Sequence, residues 1–125
     1  MQGFNLKTVV LDSSALLAFI NDRVDVIEQA NALLEEPLRF VVLKPCLSEL
    51  RVVAKPAAFD AITKYLGSRA SVVDVPQQRP DDSILEYALK QSNCAVLSLD
   101  GRLRKRLKSK GIQTITLRGA SLVLT

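Results

Sequence analysis

The amino-acid sequence predicts an α/β fold in which helices cover both faces of a central, mainly parallel sheet of five strands. Two observations support this prediction. Apolar runs such as residues 9–11 are unbroken, as is typical of strands that are buried on both faces. These runs alternate with helical segments, and that alternation is typical of βαβ units with right-handed crossovers. We therefore expect a three-layer sandwich, with residues 1–125 forming one domain.

Each predicted strand is a short apolar run bounded by turn or helix-starting residues. In order, the strands are expected at residues 9–11, 39–43, 71–75, 94–99 and 112–117. A short apolar tail at residues 121–124 follows the last strand and could cover an edge of the sheet.

Each predicted helix shows helical apolar spacing or typical start and stop residues. The helices are expected at residues 15–20, 24–36, 46–55, 57–66, 81–89 and 102–110. Ser13 and Ser14 offer hydroxyls that suit the cap of the first helix. Pro45 suits the opening of the third helix, and Gly67 stops the fourth.

The composition restricts the chemistry that this chain can perform. It contains no histidine, which excludes Ser-His-Asp and Cys-His catalysis and nearly all zinc sites. Cys46 and Cys94 show no close pairing, so we expect reduced core thiols. Any catalysis must use carboxylates, cations, hydroxyls or a metal held by oxygen, which points to hard ions such as Mg²⁺ or Mn²⁺.

No apolar run reaches the roughly 18 residues that would span a bilayer. The N-terminus also lacks the pattern of a signal peptide. We therefore expect a cytoplasmic protein with no membrane segment.

Positive charge is concentrated in the last predicted helix, although the net charge of the chain is only +4. The cations of this helix are Arg102, Arg104, Lys105, Arg106, Lys108 and Lys110, with no acid among them. Nucleic acid is the commonest partner of such a cluster, so we expect the first five of them to contact nucleic-acid phosphates. The alternative is a solvated helix face whose Leu103 and Leu107 pack inward.

Acidic residues follow the carboxyl ends of four predicted strands. Asp12 ends the first strand and Glu49 follows the second, while Asp81 and Asp82 follow the third and Asp100 ends the fourth. In a parallel sheet these junctions lie along one edge, where ligands bind. Crowded carboxylates need a counter-charge. Divalent cations supply that charge and, as a pair, could clamp a phosphodiester and activate water.

Each acid also has a structural explanation. Asp12 and Asp100 could each cap the helix that follows. Glu49 could be a solvated helix residue. Asp81 and Asp82 could be ordinary helix N-terminal charges, an explanation that we favour for at least one of them. The joint pattern nevertheless favours a metal site.

These motifs together resemble the PIN domain, a small nuclease fold, from end to end of the chain. The matching segments are residues 9–17, 47–50, 81–85 with Ala88, and 97–100. Ser14 stands where the family often has Asn, a departure expected to weaken a hydrogen bond beside the site. Residues 102–104 and 111–112 resemble VapC-like and archaeal PIN nucleases related to ribosomal-RNA-processing PIN proteins.

The resemblance implies a PIN-like sandwich with Mg²⁺- or Mn²⁺-dependent endoribonuclease activity. The implied metal ligands, which are also the catalytic residues, are Asp12, Glu49, Asp81 or Asp82, and Asp100. We favour Asp81, because its helical face at Ile84 and Ala88 should pack on the sheet, and we expect Asp82 to lie farther out.

Further expectations concern the surroundings of the site and its partners. Ser14 and Ser98 could position a carboxylate or a metal-bound water. The family often forms homodimers. An antitoxin or a ribosomal partner is implied according to whether the chain is a toxin or an RNA-processing factor, and the sequence leaves that choice open.

Two rival functions differ in class. A catalytically weak RNA-binding or ribosome-assembly module could keep the fold, but such domains usually lose part of the acid set, which is complete here. A phospho-acceptor domain or phosphatase would need a second Asp soon after Asp12, where the chain has Ser13 and Ser14.

Overall fold

The computed structural model describes residues 6–125. Residues 1–5, which belong to the predicted domain, lie outside the described residues. The strands are β1 Lys7–Leu11, β2 Leu38–Leu43, β3 Ala70–Val73, β4 Cys94–Leu97, β5 Gln113–Arg118 and β6 Ser121–Leu124. The helices are α1 Ser13–Asn21, α2 Val26–Leu34, α3 Lys44–Val53, α4 Pro56–Leu66, α5 Pro80–Leu89 and α6 Gly101–Ser109.

The strands form one sheet in the order β3-β2-β1-β4-β5-β6. Pairs up to β5 are parallel, and β6 alone among the described strands runs antiparallel to its neighbour. The predicted mainly parallel α/β sandwich is therefore confirmed. One detail was wrong: the sheet has six strands, not five, because the tail at residues 121–124 covers the edge of β5 as a paired strand.

The turn before β6 explains the additional strand. Gly119 has a φ of +64°, a left-handed conformation that glycine adopts easily in a tight hairpin. Gln29 of α2 then holds the strand in place: its Nε2 donates to the Ala120 carbonyl at 2.9 Å, and its Oε1 accepts from the Leu122 N–H at 3.0 Å. A side chain distant in sequence thus stabilises a four-residue strand.

Side chains alternate along each central strand and divide the core into two layers. In β1, Val9 and Leu11 belong to the layer covered by α1, α2 and α4. Val10 faces the opposite layer, where Ile84 of α5 and Leu107 of α6 pack. Both layers are fully apolar at these positions, which explains why the strand sequence is an unbroken apolar run.

Strand order reverses between β1 and β4. β2 and β3 extend the sheet on one side of β1, whereas β4 and β5 extend it on the other. Ligands bind beyond the carboxyl ends of the strands at such a reversal. β4 also ends at Leu97, two residues earlier than predicted, so that Ser98 and Leu99 form a turn over the end of β1. None of the helices in residues 6–125 is long and apolar enough to cross a membrane.

Candidate active site

Asp12 lies at the centre of the reversal, directly after β1. Its backbone N–H donates to the Leu97 carbonyl at 3.1 Å, which extends the contact between β1 and β4 by one residue. The side chain is only 4% exposed. Its Oδ1 accepts the Ser13 N–H at 2.7 Å, and its Oδ2 accepts the hydroxyls of Ser98 at 2.6 Å and Ser14 at 2.9 Å. These donors compensate for the burial of the carboxylate.

Of the two caps that the sequence offered for α1, Asp12 and the Ser13–Ser14 pair, the structure has the first. The N-cap residue is Asp12, whose own carboxylate accepts the first free N–H of the helix. Ser13 and Ser14, expected to cap this helix, are its first two residues instead. The reason is that β1 ends at Leu11 with no loop, so the acid already occupies the N-cap position. Their hydroxyls are consequently free to bond elsewhere.

Ser14 and Ser98 connect Asp12 to the turn after β4. The Ser14 hydroxyl accepts the Leu99 N–H at 2.9 Å, and the Ser98 hydroxyl accepts the Asp100 N–H at 3.0 Å. Each hydroxyl therefore accepts from the turn and donates to Asp12. The two residues predicted to position a carboxylate both lie against this one, and together they fix the turn that leads to α6.

Glu49 reaches the same region from α3. It is exposed, and its Oε1 accepts a hydrogen bond from the hydroxyl of Ser13 at 2.7 Å. The Ser13 hydroxyl is also 3.5 Å from Asp12 Oδ1, but the shorter contact identifies Glu49 as its acceptor. The sequence indicated Ser13 only as a cap. The position of Ser13 beside Asp12 indicates that it lies near the site. That its hydroxyl donates to Glu49 depends on how α3 packs, which the sequence does not show.

Asp81 and Asp82 face different surroundings, because consecutive helix residues point about 100° apart. Asp81 lies in the first turn of α5 and shares a cavity with Asp12. Asp82, named above as a possible ligand, instead forms an ion pair with Arg106 of α6 at 2.9 Å. The favoured member of the pair is thus the one that faces the other acids.

Asp100 combines two placements. It is the N-cap of α6, and its Oδ1 accepts the N–H groups of Arg102 at 2.9 Å and Leu103 at 3.3 Å. It also lines the cavity that contains Asp12. A capping role therefore does not remove Asp100 from the site.

The cavity has a volume of about 320 Å³ and brings carboxylates from four separate segments together. Its lining residues are Asp12, Ser13, Ser14, Leu17, Glu49, Val53, Asp81 and Asp100. In the part of the chain that the structure describes, however, no three His, Cys, Asp or Glu side chains are arranged to hold one ion. Glu49 is turned toward Ser13, and Asp100 is turned toward the N–H groups of α6. Side-chain rotation would be needed for them to converge.

The electrostatics of the cavity fit a cation. The pKa of Asp81 is raised by its partial burial and by the negative charges of Asp12, Asp100 and Glu49, while the charge of Arg106 acts in the opposite direction. The acids therefore repel one another through space, which a cation would relieve. Every charged side chain that lines the cavity is a carboxylate. Carboxylate oxygens are the ligands that Mg²⁺ and Mn²⁺ prefer.

Cys46 lies buried close to the acids. Burial, followed by the charges of Asp12, Glu49 and Asp81, raises the pKa of its thiol far above the ordinary value. Burial likewise raises the pKa of Cys94, to about 11. Both cysteines are free, as the sequence predicted, and neither is a thiolate near neutral pH.

The basic helix α6 begins beside the cavity. Leu103 and Leu107 are fully buried in the core. Its RNA-contact candidates lie on the outer face: Arg102, Lys105, Arg106 and Lys108 are exposed, and Arg104 is half-buried. Inward leucines and outward cations coexist, so the packing of the helix leaves its cations accessible.

Comparison with known proteins identifies a family and a structural relative. A family model described as "PIN like domain" matches residues 9–120. The structure of the PIN domain endonuclease Utp24 is similar, with a TM-score of 0.81 and 14% sequence identity. The similarity covers 94% of this chain and 90% of that one. No curated protein matches the sequence significantly.

Proposed function

The chain belongs to the PIN-like domain family, and we propose that it is a metal-dependent endoribonuclease that hydrolyses RNA phosphodiester bonds. The observation that carries the proposal is the shared cavity at the point of strand reversal. Four carboxylates from four segments line that cavity, and one of them is almost completely buried and held by hydroxyl groups.

In this proposal Asp12, Glu49, Asp81 and Asp100 hold Mg²⁺ or Mn²⁺. A divalent ion held there would polarise a phosphoryl oxygen and lower the pKa of water, which supplies hydrolytic chemistry without histidine. We place Asp82 outside this set, because its carboxylate is paired with Arg106.

The chain's own residues would orient the carboxylates. Ser14 and Ser98 hold the carboxylate of Asp12 in one rotamer through Oδ2, and Ser13 holds Glu49 through Oε1. Leu17 and Val53 supply the apolar part of the cavity lining. Fixed orientation matters, since a small displacement of a catalytic group lowers the rate strongly.

The cations of α6 would bind the RNA backbone. RNA phosphates are repelled by the acidic cavity, and the adjacent positive helix offsets that repulsion while holding the strand by non-specific charge contacts. The residues in this role are Arg102, Arg104, Lys105, Arg106 and Lys108. Their long side chains bind phosphates without sequence readout.

Two cellular roles fit this activity, and the proposal includes both. It also includes a cytoplasmic location and a homodimer. One is a toxin with an antitoxin partner, and the other is an RNA-processing factor with a ribosomal partner. A neighbouring gene for a small DNA-binding antitoxin would favour the first.

The proposal is tested by incubating single-stranded RNA with the protein in Mg²⁺, in Mn²⁺ and in EDTA. We expect cleavage only with metal, and none with Asp12→Asn or Asp81→Asn. Asp60→Asn is the matched control, because Asp60 is an exposed acid of α4 away from the cavity. Cleavage that persists in EDTA, or in Asp12→Asn, would contradict the mechanism.

A second function is favoured by the fact that no three acids of the described residues are arranged around one ion. A catalytically weak RNA-binding module would bind RNA through α6 and leave it intact in every metal. That outcome of the same assay would replace the nuclease proposal.

A further inference from the structure

A second cavity adjoins the acidic one through Asp81, which lines both. It has a volume of about 350 Å³. Its other lining residues are Arg79, Asp82, Arg102 and Arg106. The arginines come from two segments that are distant in sequence, so the cavity is formed only when α5 and α6 lie side by side.

The backbone positions of the three arginines are restrained, and one of their side chains is held by an ion pair. Arg79 precedes Pro80, and a residue before proline is confined to extended conformations, in agreement with its φ of −62° and ψ of 140°. Arg102 and Arg106 lie four residues apart and therefore on one face of α6. The ion pair with Asp82 holds Arg106 at 2.9 Å.

The charge of the cavity is positive on balance. Within residues 6–125 the ion pairs are Lys44–Asp74 and Arg106–Asp82, so neither Arg79 nor Arg102 has a carboxylate partner there. Three guanidinium groups face two carboxylates, and Asp81 is shared with the acidic cavity. Guanidinium groups bind phosphate oxygens through paired N–H donors, so this set is suited to a phosphate group.

We propose that Arg79, Arg102 and Arg106 form a subsite for one backbone phosphate of single-stranded RNA, next to the phosphate that occupies the acidic cavity. This inference rests on the proposed nuclease function. It adds that the RNA strand is held at a fixed position relative to the acidic cavity. Because Asp81 lines both cavities, the two lie side by side, and in this proposal their occupants are neighbouring phosphates of one strand. Arg79, which lies outside the basic helix, completes the subsite.

The test measures binding without cleavage. The affinity of a fluorescent single-stranded oligoribonucleotide is determined by anisotropy across salt concentrations in EDTA, for the wild type and for the triple variant Arg79→Gln/Arg102→Gln/Arg106→Gln. The salt slope falls by about 0.7 for each phosphate of a single strand that the protein no longer neutralises. One shared phosphate predicts a decrease of about 0.7, whereas three separate phosphates predict about 2.

The matched control is Lys105→Gln/Lys108→Gln, which removes charges from the same helix outside the cavity. These lysines bind separate phosphates, so the slope should fall by about 1.4 and show that additive decreases are detectable. Thermal melts of all variants check that the fold is retained.

A second measurement locates the phosphate. In a series of oligonucleotides, one linkage at a time is an uncharged methylphosphonate. The wild type should lose affinity at each linkage whose phosphate the protein contacts, and one of these should lie beside the cleaved bond. Arg79→Gln should lose its sensitivity at that one linkage and keep it at the others.

Three outcomes would overturn the subsite: an unchanged slope in the triple variant, a decrease of about 2, or a pattern of linkage sensitivity in Arg79→Gln that is the same as that of the wild type. Thermal stabilisation by inorganic phosphate that depends on Arg79, with unchanged RNA binding, would assign the cavity to free phosphate and also overturn it. Absence of any RNA binding by the wild type would instead refute the proposed function itself.

Discussion

The hydroxyl of Ser98 donates a 2.6 Å hydrogen bond to Oδ2 of Asp12, and this bond joins the ends of the two strands between which the strand order reverses. Both residues are buried. The same hydroxyl accepts the Asp100 N–H, so Ser98 connects two of the candidate ligands. The geometry of the site therefore depends on a group that does no chemistry itself.

Ser98→Ala should lower the free energy of unfolding by about 1–3 kcal/mol, because it removes one of the two hydroxyls that donate to Oδ2 of Asp12 and leaves the Asp100 N–H without its acceptor. Urea denaturation in EDTA measures the change. Ser48→Ala, at a position of α3 outside the acidic cavity, is the control and should stay within about 0.5 kcal/mol of the wild type. An equally small effect of Ser98→Ala would mean that solvent or another group replaces the bond.

Asp12→Asn should destabilise the metal-free protein by about 1–3 kcal/mol. If the amide nitrogen of Asn takes the Oδ2 position, it cannot accept hydrogen bonds from the hydroxyls of Ser14 and Ser98. If the amide group is flipped, the nitrogen takes the Oδ1 position, where it faces the Ser13 N–H, another donor. Mg²⁺ should raise the stability of the wild type and leave the variant unchanged, since a ligand that binds only the folded state stabilises it. Urea denaturation with and without Mg²⁺ measures both effects. If Mg²⁺ stabilises both proteins equally, Asp12 is only a helix cap.

Ser13→Ala should lower metal affinity or cleavage by about 10–100-fold, the usual cost of removing a group that orients a metal ligand. Glu49 is exposed and loses its only hydrogen bond from within residues 6–125, so it samples more rotamers. Isothermal titration with Mn²⁺ measures the affinity directly. Ser13→Thr keeps the hydroxyl and should restore binding. Equal defects in the two variants would point to packing of α1 instead.

Asp81 should make the metal-free protein less stable as the pH rises. Its pKa is raised in the folded state, so the protonated form favours folding. This contribution is complete below the ordinary value of 3.8 and disappears as the pH rises through the folded pKa. Asp81→Asn should remove that decrease from urea denaturation curves collected in EDTA. An unchanged pH dependence in the variant would contradict the crowding of the acids.

Asp25 should affect the pH dependence of stability in the direction opposite to Asp81, because its pKa is lowered in the folded state. Burial acts to raise the pKa of Asp25, but hydrogen bonds from Tyr65 and from the Glu28 N–H lower it on balance. Its contribution to stability is therefore present above the unfolded pKa and lost as the pH falls through the folded one. The acid-side loss should persist in Asp81→Asn, which separates the two effects in one titration.

The placement of the acids could be predicted from the sequence because it follows from a rule of topology. Carboxyl ends of parallel strands share one edge, so Asp12, Glu49, Asp81 and Asp100 reach one cavity wherever the strands lie in the sheet. The choice between Asp81 and Asp82 also followed from helix periodicity, since one turns to the cavity and the other to Arg106.

Details that depend on side-chain rotamers or on distant partners could not be predicted. The hydroxyl of Ser13 bonds Glu49, a partner 36 residues away that only the packing of α3 brings near. The strand β6 depends on Gln29, which is 93 residues from Leu122. Arg79 had no sequence signal, because its neighbours in the second cavity come from α6.

The bond between Asp12 and Ser98 spans 86 residues of chain, and this separation governs what happens during synthesis. A ribosome adding about 5–20 residues per second needs on the order of ten seconds to make that interval. Until β4 emerges, a nascent chain can form the β1–β2–β3 pairs, but the N–H and C=O groups on one edge of β1 stay unpaired. The carboxylate of Asp12 likewise lacks the Ser98 hydroxyl, so the complete acidic cavity cannot exist until Ser98 has been synthesised. During that interval the open edge of β1 is available for pairing with strands of other chains, and the arrival of β4 closes it.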